Sequence, residues 1–345
     1  MKKLKGFLFW FFKVGLSALL IIFLCVAPFS VFPSLSKKQG EINKSEVFEY
    51  QGILELWHVE TFEGGSVSRA TFLEREAYIF EKEHKGTYIS IQTMSPEQFC
   101  LNISLGKTPN ILSFGIGVGD DFLSNLIELD TKNVRSDIKT GGVFNSKQLA
   151  VPYLLGGYAT IKNKNFSSKT KNSNLFGVGT LGSINVLKCL QKNNIKLNKL
   201  SDLAMDTYTA YDRFIKNNFQ TLIGTQRDVY RCYSRQQRGL FDVEFSFLSG
   251  WTDLVQYISV FSASELEEEM CKKFASQITS TQAQNKLKDY NLFSVLNNVC
   301  LYETGLFANF EKVLKESLQV ESVFLNLEQI EIQKKQALKS VVFEN

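Results

Sequence analysis

The stretch Gly52–Ser66 (GILELWHVETFEGGS) constrains the fold more than any other part of the sequence. Its apolar residues Ile53, Leu54 and Leu56 lie between a glycine and a polar turn, which predicts a strand buried in a sheet. Two glycines follow, so the chain can reverse sharply. Because a helix is predicted from Ser68, the polar turn and the free N–H groups of that helix should meet beyond the carboxyl end of a strand. Open α/β sheets bind ligands at that place.

The predicted helix has one apolar face. Its apolar residues recur every three or four positions, as on one side of a helix: Ala70, Leu73, Ala77 and Phe80. Six charged side chains are expected to face water on the remaining surface: Arg69, Glu74, Arg75, Glu76, Glu81 and Lys82.

Further strand and helix patterns continue this order. The segment TYISIQT (87–93) alternates apolar and polar residues as a strand does. Ser95 followed by Pro96 and Gln98 predicts a helix start with a reciprocal cap. A third strand is expected at NILSF (110–114). Since crossover connections are right-handed, the order β-α-β-α-β predicts a parallel sheet.

The glycine cluster Gly115–Gly119 does not predict a dinucleotide site. Its spacing is G-x-G-x-G, with the third glycine one place early, and no amphipathic helix with an acidic residue ~20 positions on completes the fingerprint. We therefore expect no nucleotide and no other cofactor. The glycines either let backbone approach something bound near Ser113 and Phe114, or turn the chain.

The N-terminal segment differs from the rest of the chain. Lysines at positions 2, 3 and 5 precede apolar sequence, and the run Val14–Phe32 contains no charge. That run is close to the ~20 residues of a membrane-spanning helix and longer than a typical signal-peptide core. Residues 1–34 are therefore predicted to be a transmembrane anchor or a cleaved signal helix, and residues 35–49 a tether. The positive end stays in the cytoplasm, so the remainder is expected outside it.

Composition argues against several functional classes. The chain has 345 residues and a net charge of +4, and much of that charge comes from N-terminal lysines. A nucleic-acid partner is not expected, because the basic footprint is missing. Six cysteines without C-x-x-C spacing fit neither a zinc site nor a dense disulfide framework.

An enzyme is not expected either. His58 and His84 are the only histidines, so no His-based metal trio can form, and the G-x-S-x-G motif is absent. Glu60 and Glu63 lie in one turn, which does not suit two carboxylates that must flank a glycosidic bond.

The pattern changes at Ala150. AVPYLLGGYATIKN predicts two short extended runs separated by Gly156-Gly157, and helical spacing follows at 181–191 and 207–217. A strand at 219–223 ends in GTQRD and repeats the strand-turn-helix order of Gly52–Ser66. A strand at 242–248 leads through GWTD into the extended run LVQYISVF. Helices are expected from 264, at 280–287, at 307–318 and at 325–341.

These blocks together resemble a known family. The chain resembles the carbohydrate-type extracellular solute-binding proteins of bacterial ABC importers, in particular the clostridial group. The resemblance is carried by five blocks in the family's order: LWHVETFEGGS, PNILSFG, AVPYLLGGYAT, GTQRDVYR and WTDLVQYISV. The resemblance spans about 54–295. It implies an α/β fold with two lobes, the type II periplasmic-binding clamshell. Residues 50–149 would form the first part of lobe 1, and residues 150–249 would form lobe 2. Residues 250–345 would return to lobe 1.

The resemblance also implies a function. A small polar solute, a sugar or oligosaccharide, would be held between the lobes and delivered to an ABC permease by hinge closure at the bacterial cell surface. A sugar-binding site needs flat aromatic rings for the apolar C–H faces of the sugar and polar side chains for its hydroxyls. The aromatic candidates are Trp57, Tyr153, Tyr158 and Trp251. The polar candidates are His58, Glu60, Glu63, Ser113, Gln226, Arg227 and Asp253.

Each candidate also has a purely structural interpretation. Trp57 fits as packing at the sheet end, and Arg227 can pair with Asp228 at a helix start. A different biological role is open as well: a membrane-anchored solute sensor, or a binding protein for a non-sugar ligand such as a peptide.

Overall fold

The chain divides into two compact units, Met1–Glu49 and Tyr50–Asn345. The computed structural model describes residues 15, 50–62, 67–130, 132–166, 176–178, 185–197, 206–218, 220–316 and 318–341. The predicted anchor and tether, apart from residue 15, lie outside these described residues. In the part that is described, no helix is both long and apolar enough to cross a membrane.

The first strands and helices alternate as the sequence predicts. Their bounds are β1 (Gly52–Val59), α1 (Arg69–Glu83), β2 (Thr87–Met94), α2 (Pro96–Ser104) and β3 (Ile111–Phe114). β1 pairs in parallel with both β2 and β3, which confirms the predicted parallel unit. At the start of α2, Ser95 Oγ accepts from Gln98 N and Gln98 Oε1 accepts from Ser95 N. This is the predicted reciprocal cap.

Two distant segments complete the first sheet. After α3 (Ser136–Lys139) and the hairpin of β4 (Val143–Phe144) and β5 (Lys147–Gln148), β6 (Val151–Leu155) takes one edge. The strand order is β2-β1-β3-β12-β6, and β12 (Val255–Val260) runs antiparallel to β3 and to β6. The chain therefore leaves this sheet after β6 and returns to it through β12.

A second sheet forms between that departure and return. Its strands are β7 (Tyr158–Asn163), β8 (Phe176–Val178), β9 (Thr221–Thr225) and β10 (Val243–Phe247), in the order β10-β7-β9-β8. β9 is antiparallel to β7 and parallel to β8. Its helices are α4 (Val186–Lys192), α5 (Thr207–Ile215) and α6 (Gln226–Gln237). The two sheets are the centres of two lobes, as the resemblance implied.

The C-terminal region contributes to both lobes. It contains β11 (Trp251–Thr252), α7 (Glu265–Ile278), α8 (Thr281–Gln284), α9 (Leu306–Lys315), β13 (Gln319–Val320) and α10 (Leu327–Val341). α7 packs on α1 and β12 of the first lobe, as expected for a return. α10 instead packs against α4, and Leu197 N donates a 2.8 Å hydrogen bond to Val341 O. The region 250–345 therefore does not lie wholly against the first sheet.

Two charged residues expected to face water are buried. Arg69 and Glu76 on α1 are only 2% and 3% exposed. Arg69 Nη1 donates to Gln256 Oε1 at 2.9 Å, and Gln277 Nε2 donates to Glu76 Oε2 at 3.2 Å. The helical spacing predicted the apolar face correctly. It missed these two residues because β12 and α7, which cover them, come from the far end of the sequence.

Candidate functional site

Three chain segments connect or bridge the two lobes. Gly156-Gly157 links β6 to β7, and 249–254 links β10 to β12. The segment 318–326 contacts the first lobe, where Gly117 N donates to Leu325 O at 3.0 Å, and also pairs with β11 through β13. We call these three segments the hinge region. A Cβ atom at Gly157 would lie 2.8 Å from the ring of Phe310, so this close approach requires glycine.

An aromatic and carboxylate cluster occupies the hinge region. Tyr158 OH donates to Asp253 Oδ1 at 2.7 Å, and Asn185 N donates to Asp253 Oδ2 at 2.5 Å. The rings of Tyr158 and Trp251 are stacked, with centroids 6.5 Å apart and planes 10° apart. Burial raises the pKa of Asp253 to about 6, because a buried carboxylate loses its hydration.

Glu321 ties the same cluster to the second lobe. One carboxylate oxygen accepts from Trp251 Nε1 at 3.2 Å and forms an ion pair with Lys188 of α4. The other oxygen accepts from Gln333 Nε2 of α10 at 3.4 Å. A small cavity beside this contact is lined by Ile116, Asp253, Val255, Tyr257, Val320 and Glu321.

A second polar cluster is buried in the first lobe, where β1 and β3 end. His58 Nδ1 and Ser113 Oγ are 2.8 Å apart, and Ser113 Oγ and Tyr153 OH are 2.8 Å apart. Gln256 Nε2 donates to Ser113 Oγ at 3.1 Å, and its carbonyl accepts from Arg69. Burial, and then the charge of Arg69, holds the pKa of His58 well below its usual value. The imidazole is therefore neutral, and the cluster joins α1 to four strands: β1, β3, β6 and β12.

Four other predicted site residues have separate positions, and one is not described. Trp57 faces the opposite side of β1 from His58 and packs edge-to-face on Phe99, with centroids 6.3 Å apart. Glu60 is exposed just after β1. Gln226 Oε1 accepts from Gly157 N at 3.0 Å, and Arg227 is half-buried in the first turn of α6. Glu63 lies outside the described residues.

The structure therefore places six of the candidates in two buried clusters. His58, Ser113 and Tyr153 share one, and Tyr158, Trp251 and Asp253 share the other. The sequence analysis did not single out Gln256, Asn185, Glu321 or Lys188. Only Gln256 has a local signal, a long polar side chain within the apolar run LVQYISVF. Across the described ranges, no group of three or more His, Cys, Asp or Glu side chains is placed to hold a metal ion.

The fold is similar to that of several solved proteins. The GacH receptor of Streptomyces glaucescens, solved unliganded and with acarbose, has a TM-score of 0.60 at 14% identity, over 84% of this chain and 94% of that chain. An ABC substrate-binding protein of Listeria monocytogenes in complex with cycloalternan has 0.59 at 12%, over 85% and 94%. Thiaminase I from Bacillus thiaminolyticus has 0.58 at 11%, over 84% and 99%. No protein-family model and no curated protein matches the chain.

These similarities establish the fold. The chain has the two-lobed α/β fold of the solute-binding proteins of ABC importers, as the sequence resemblance implied. An enzyme shares this fold, so the fold alone does not separate binding from catalysis. The narrower assignment to a clostridial group stays a prediction.

Proposed function

We propose that this protein captures a small polar solute, a sugar or oligosaccharide, between its lobes and delivers it to an ABC permease. The observation that carries the proposal is the arrangement of two sheets around a hinge region, with β12 returning from the second lobe into the first sheet. The similar proteins support the solute class, since one is described with acarbose and another with cycloalternan.

Hinge closure would couple binding to delivery. A solute that contacts both lobes stabilises the closed form by its additional contacts there. A solute that contacts one lobe binds the open and closed forms equally, so it does not shift the equilibrium between them. Glu60 follows a strand of the first sheet, and Arg227 begins a helix of the second lobe. A carboxylate accepts hydrogen bonds from sugar hydroxyls and a guanidinium donates them. We therefore assign direct solute contacts to these two residues, one from each lobe.

The buried candidates would act mainly as support. Trp251 is 1% exposed and Tyr158 is 1% exposed, so neither ring has free surface for a sugar in this conformation. Contact with solute through either ring requires the hinge region to move. His58, Ser113 and Tyr153 would hold β1 and β3 in register under α1, where the polar turn after β1 begins.

Binding without catalysis fits the chemistry of the hinge region better than an enzyme does. The thiol of Cys189 lies near the Asp253 carboxylate, an arrangement that could suggest a nucleophile and its base. However, Cys189 is fully buried, and burial followed by the charge of Asp253 raises its pKa well above the usual value. A nucleophilic cysteine needs the thiolate, so this thiol would be inert.

The cellular setting follows from the same proposal. Residues 1–34 would anchor the protein on the outer face of the cytoplasmic membrane, or be cleaved on secretion, and the ABC permease would be its membrane partner.

A ligand screen tests the proposed function. The melting temperature and tryptophan fluorescence of the full chain are measured with a panel of mono- and oligosaccharides, and with peptides as the comparison. A solute at 100 times its dissociation constant adds ~2.7 kcal/mol to the free energy of unfolding. A shift with sugars supports the proposal; a shift with peptides alone would favour the non-sugar alternative.

A further inference from the structure

Helix α6 carries a row of arginines on one face, which we call the arginine row. Its members are spaced by four, four and three positions, and the last is the residue that caps the helix end: Arg227, Arg231, Arg235 and Arg238. At 3.6 residues per turn they fall within about 80° of the helix circumference. The opposite face packs on the second sheet through the buried Val229 and Cys232. The row is about 16 Å long, with successive side chains about 6 Å apart along the axis.

Helix α5 lies beside the arginine row. The guanidinium of Arg231 is 5.0 Å from the centroid of the Tyr211 ring. Tyr208, one turn earlier on α5, is 69% exposed. Where the two helices end, a hollow of about 400 Å³ opens between them, which we call the amide hollow. It is lined by Asn163, Asn165, Asn217, Gln236, Gly239, Leu240, Phe241 and Asp242.

The acidic side chains of α5 and α6 do not balance the row. Asp228 is 1% exposed, and its Oδ2 accepts from Thr225 N in the cap of α6. Asp212 pairs with Lys216 at 2.7 Å, and Asp206, the N-cap of α5, accepts from Thr209 N at 2.8 Å. The positive charges of Arg231, Arg235 and Arg238 therefore have no exposed carboxylate on α6 to match them. In the amide hollow, the Asp242 carboxylate is paired with Lys164 at 3.6 Å.

Two donors of the row have no acceptor among the described residues. Arg231 Nη1 lies 3.8 Å from Asp228 Oδ1, which is an ion pair but too long for a hydrogen bond. In the part of the chain that the structure describes, neither Arg231 Nη1 nor Arg235 Nε has a hydrogen-bond partner, although both atoms are buried. Buried polar groups normally have a partner, so an anion that turns these two guanidinium groups toward solvent would satisfy them.

We propose that the arginine row and the amide hollow bind an extended polyol-phosphate chain, a linear polymer of alternating alcohol and phosphate units. A guanidinium group can donate two parallel hydrogen bonds to two oxygens of one phosphate. A linear row of such cations is complementary to a chain of repeated phosphates, and less so to a single compact anion. The exposed amide side chains of Asn165 and Asn217 are suited to the polyol hydroxyls. Those of Asn163 and Gln236 already donate within the protein, to Asn217 Oδ1 and Val243 O. This surface lies outside the hinge region. It shares only Arg227 with the proposed solute contacts; Arg231, Arg235 and Arg238 are not among them.

Two other anionic partners fit less well. A flat lipid surface reaches exposed cations, whereas Arg227, Arg231 and Arg235 are only partly exposed. A single-stranded nucleic acid uses aromatic rings on which successive bases stack. Among the described aromatic residues of the second lobe, only Tyr208 is exposed by more than a third.

Binding of a fluorescent poly(glycerol phosphate) oligomer to the full chain tests the proposal. Anisotropy is followed between about 50 and 200 mM salt, where the affinity should fall with rising salt. The double variant R231Q/R235Q should bind about tenfold or more weakly, with a salt slope shallower by about 0.7 for each phosphate that is no longer neutralised. R231K/R235K keeps both charges but loses the planar guanidinium groups and their paired hydrogen bonds. It should therefore bind with intermediate affinity and an unchanged salt dependence.

Controls separate this surface from general charge and from misfolding. K272Q/K273Q removes two charges from α7 and should leave affinity and slope unchanged. Asn165→Ala alters an exposed residue of the amide hollow and should weaken binding by about two- to tenfold without changing the slope. Equal melting temperatures show that the variants fold. Absence of binding, an equal loss in K272Q/K273Q, or equally tight binding of oligothymidylate of the same charge would overturn the proposal.

Discussion

Tyr158 donates its hydroxyl hydrogen to Asp253 Oδ1 at 2.7 Å, and this bond joins the residue that follows Gly156-Gly157 to the hinge segment 249–254. Tyr158 begins the first strand of the second sheet, and Asp253 stands just before the strand that returns to the first. The carboxylate also caps the backbone of Asn185, at the start of α4. One buried side chain thus holds the positions of β7, β12 and α4 relative to one another.

The buried carboxylate predicts a pH dependence of stability. Its pKa rises from the ordinary value of 3.8 to about 6 in the folded protein. Because the folded protein binds the proton of Asp253 more tightly than the unfolded chain does, protonation stabilises the fold. This stabilisation is complete below about pH 4 and is lost as pH rises through about 6. Relative to Asp253→Asn, the wild type should therefore lose up to about 3 kcal/mol between pH 4 and 7. Urea denaturation of both proteins at the two pH values measures this; a constant difference would contradict it.

His58 predicts the opposite dependence. Its folded pKa lies well below the usual value, so the unfolded chain takes up a proton first as pH falls. The stability that neutral His58 contributes is present above about pH 6.5 and is lost below it, by up to about 1.4 kcal/mol per pH unit. His58→Gln should remove this slope between pH 6.5 and 5. NMR of the wild-type imidazole offers a second readout, and a ring that titrates near pH 6.5 would show the expectation to be wrong.

Gly157 should not tolerate a side chain. In Gly157→Ala the new methyl group would lie 2.8 Å from the Phe310 ring and 2.9 Å from Leu314, so repacking should cost about 1–3 kcal/mol. Phe310→Leu makes room at that point. A double-mutant cycle should therefore show that the two changes together cost less than the sum of the single changes. Additive losses would mean that the ring does not limit this position.

The proposed solute contacts can be separated from stability. Glu60→Gln and Arg227→Gln should each weaken binding of the sugar found in the ligand screen by about tenfold, because a charge-assisted hydrogen bond is removed. Glu60 is exposed, so the melting temperature of Glu60→Gln without ligand should change little. The melting temperature of Arg227→Gln without ligand is measured beside its affinity, so that a loss of stability is told apart from a loss of solute contact. Glu55→Gln, which changes an exposed carboxylate on β1, the strand that ends just before Glu60, is the matched control and should bind normally.

If Glu60→Gln and Arg227→Gln bind as tightly as Glu55→Gln, neither residue contacts the solute. The proposal of solute capture would then survive only with other contact residues. A failure of the whole sugar panel, by contrast, would remove the solute class itself.

Local chemistry made much of the fold predictable. The reciprocal cap of Ser95 and Gln98 depends on residues three positions apart, and it forms as expected. The strands on either side of Gly156-Gly157 and the strand before Gln226 also follow from local apolar runs and their turns. Residues that depend on distant neighbours were harder to interpret. Arg69 looks like a surface residue until Gln256, far along the chain, is placed beside it.

Local sequence specified the longer segments: the alternation of strands and helices, the start of α2, and the parallel order of β1, β2 and β3. The short strands β4, β5, β8 and β13 had no such local signal. Tertiary structure alone decided that β12 enters the first sheet antiparallel, that α10 covers α4, and that six of the predicted contact residues are buried in two clusters. The physical reason is the separation along the chain over which each interaction acts. Backbone propensity and capping act over a few residues, whereas burial and hydrogen-bond partners depend on surfaces that only the folded chain brings together.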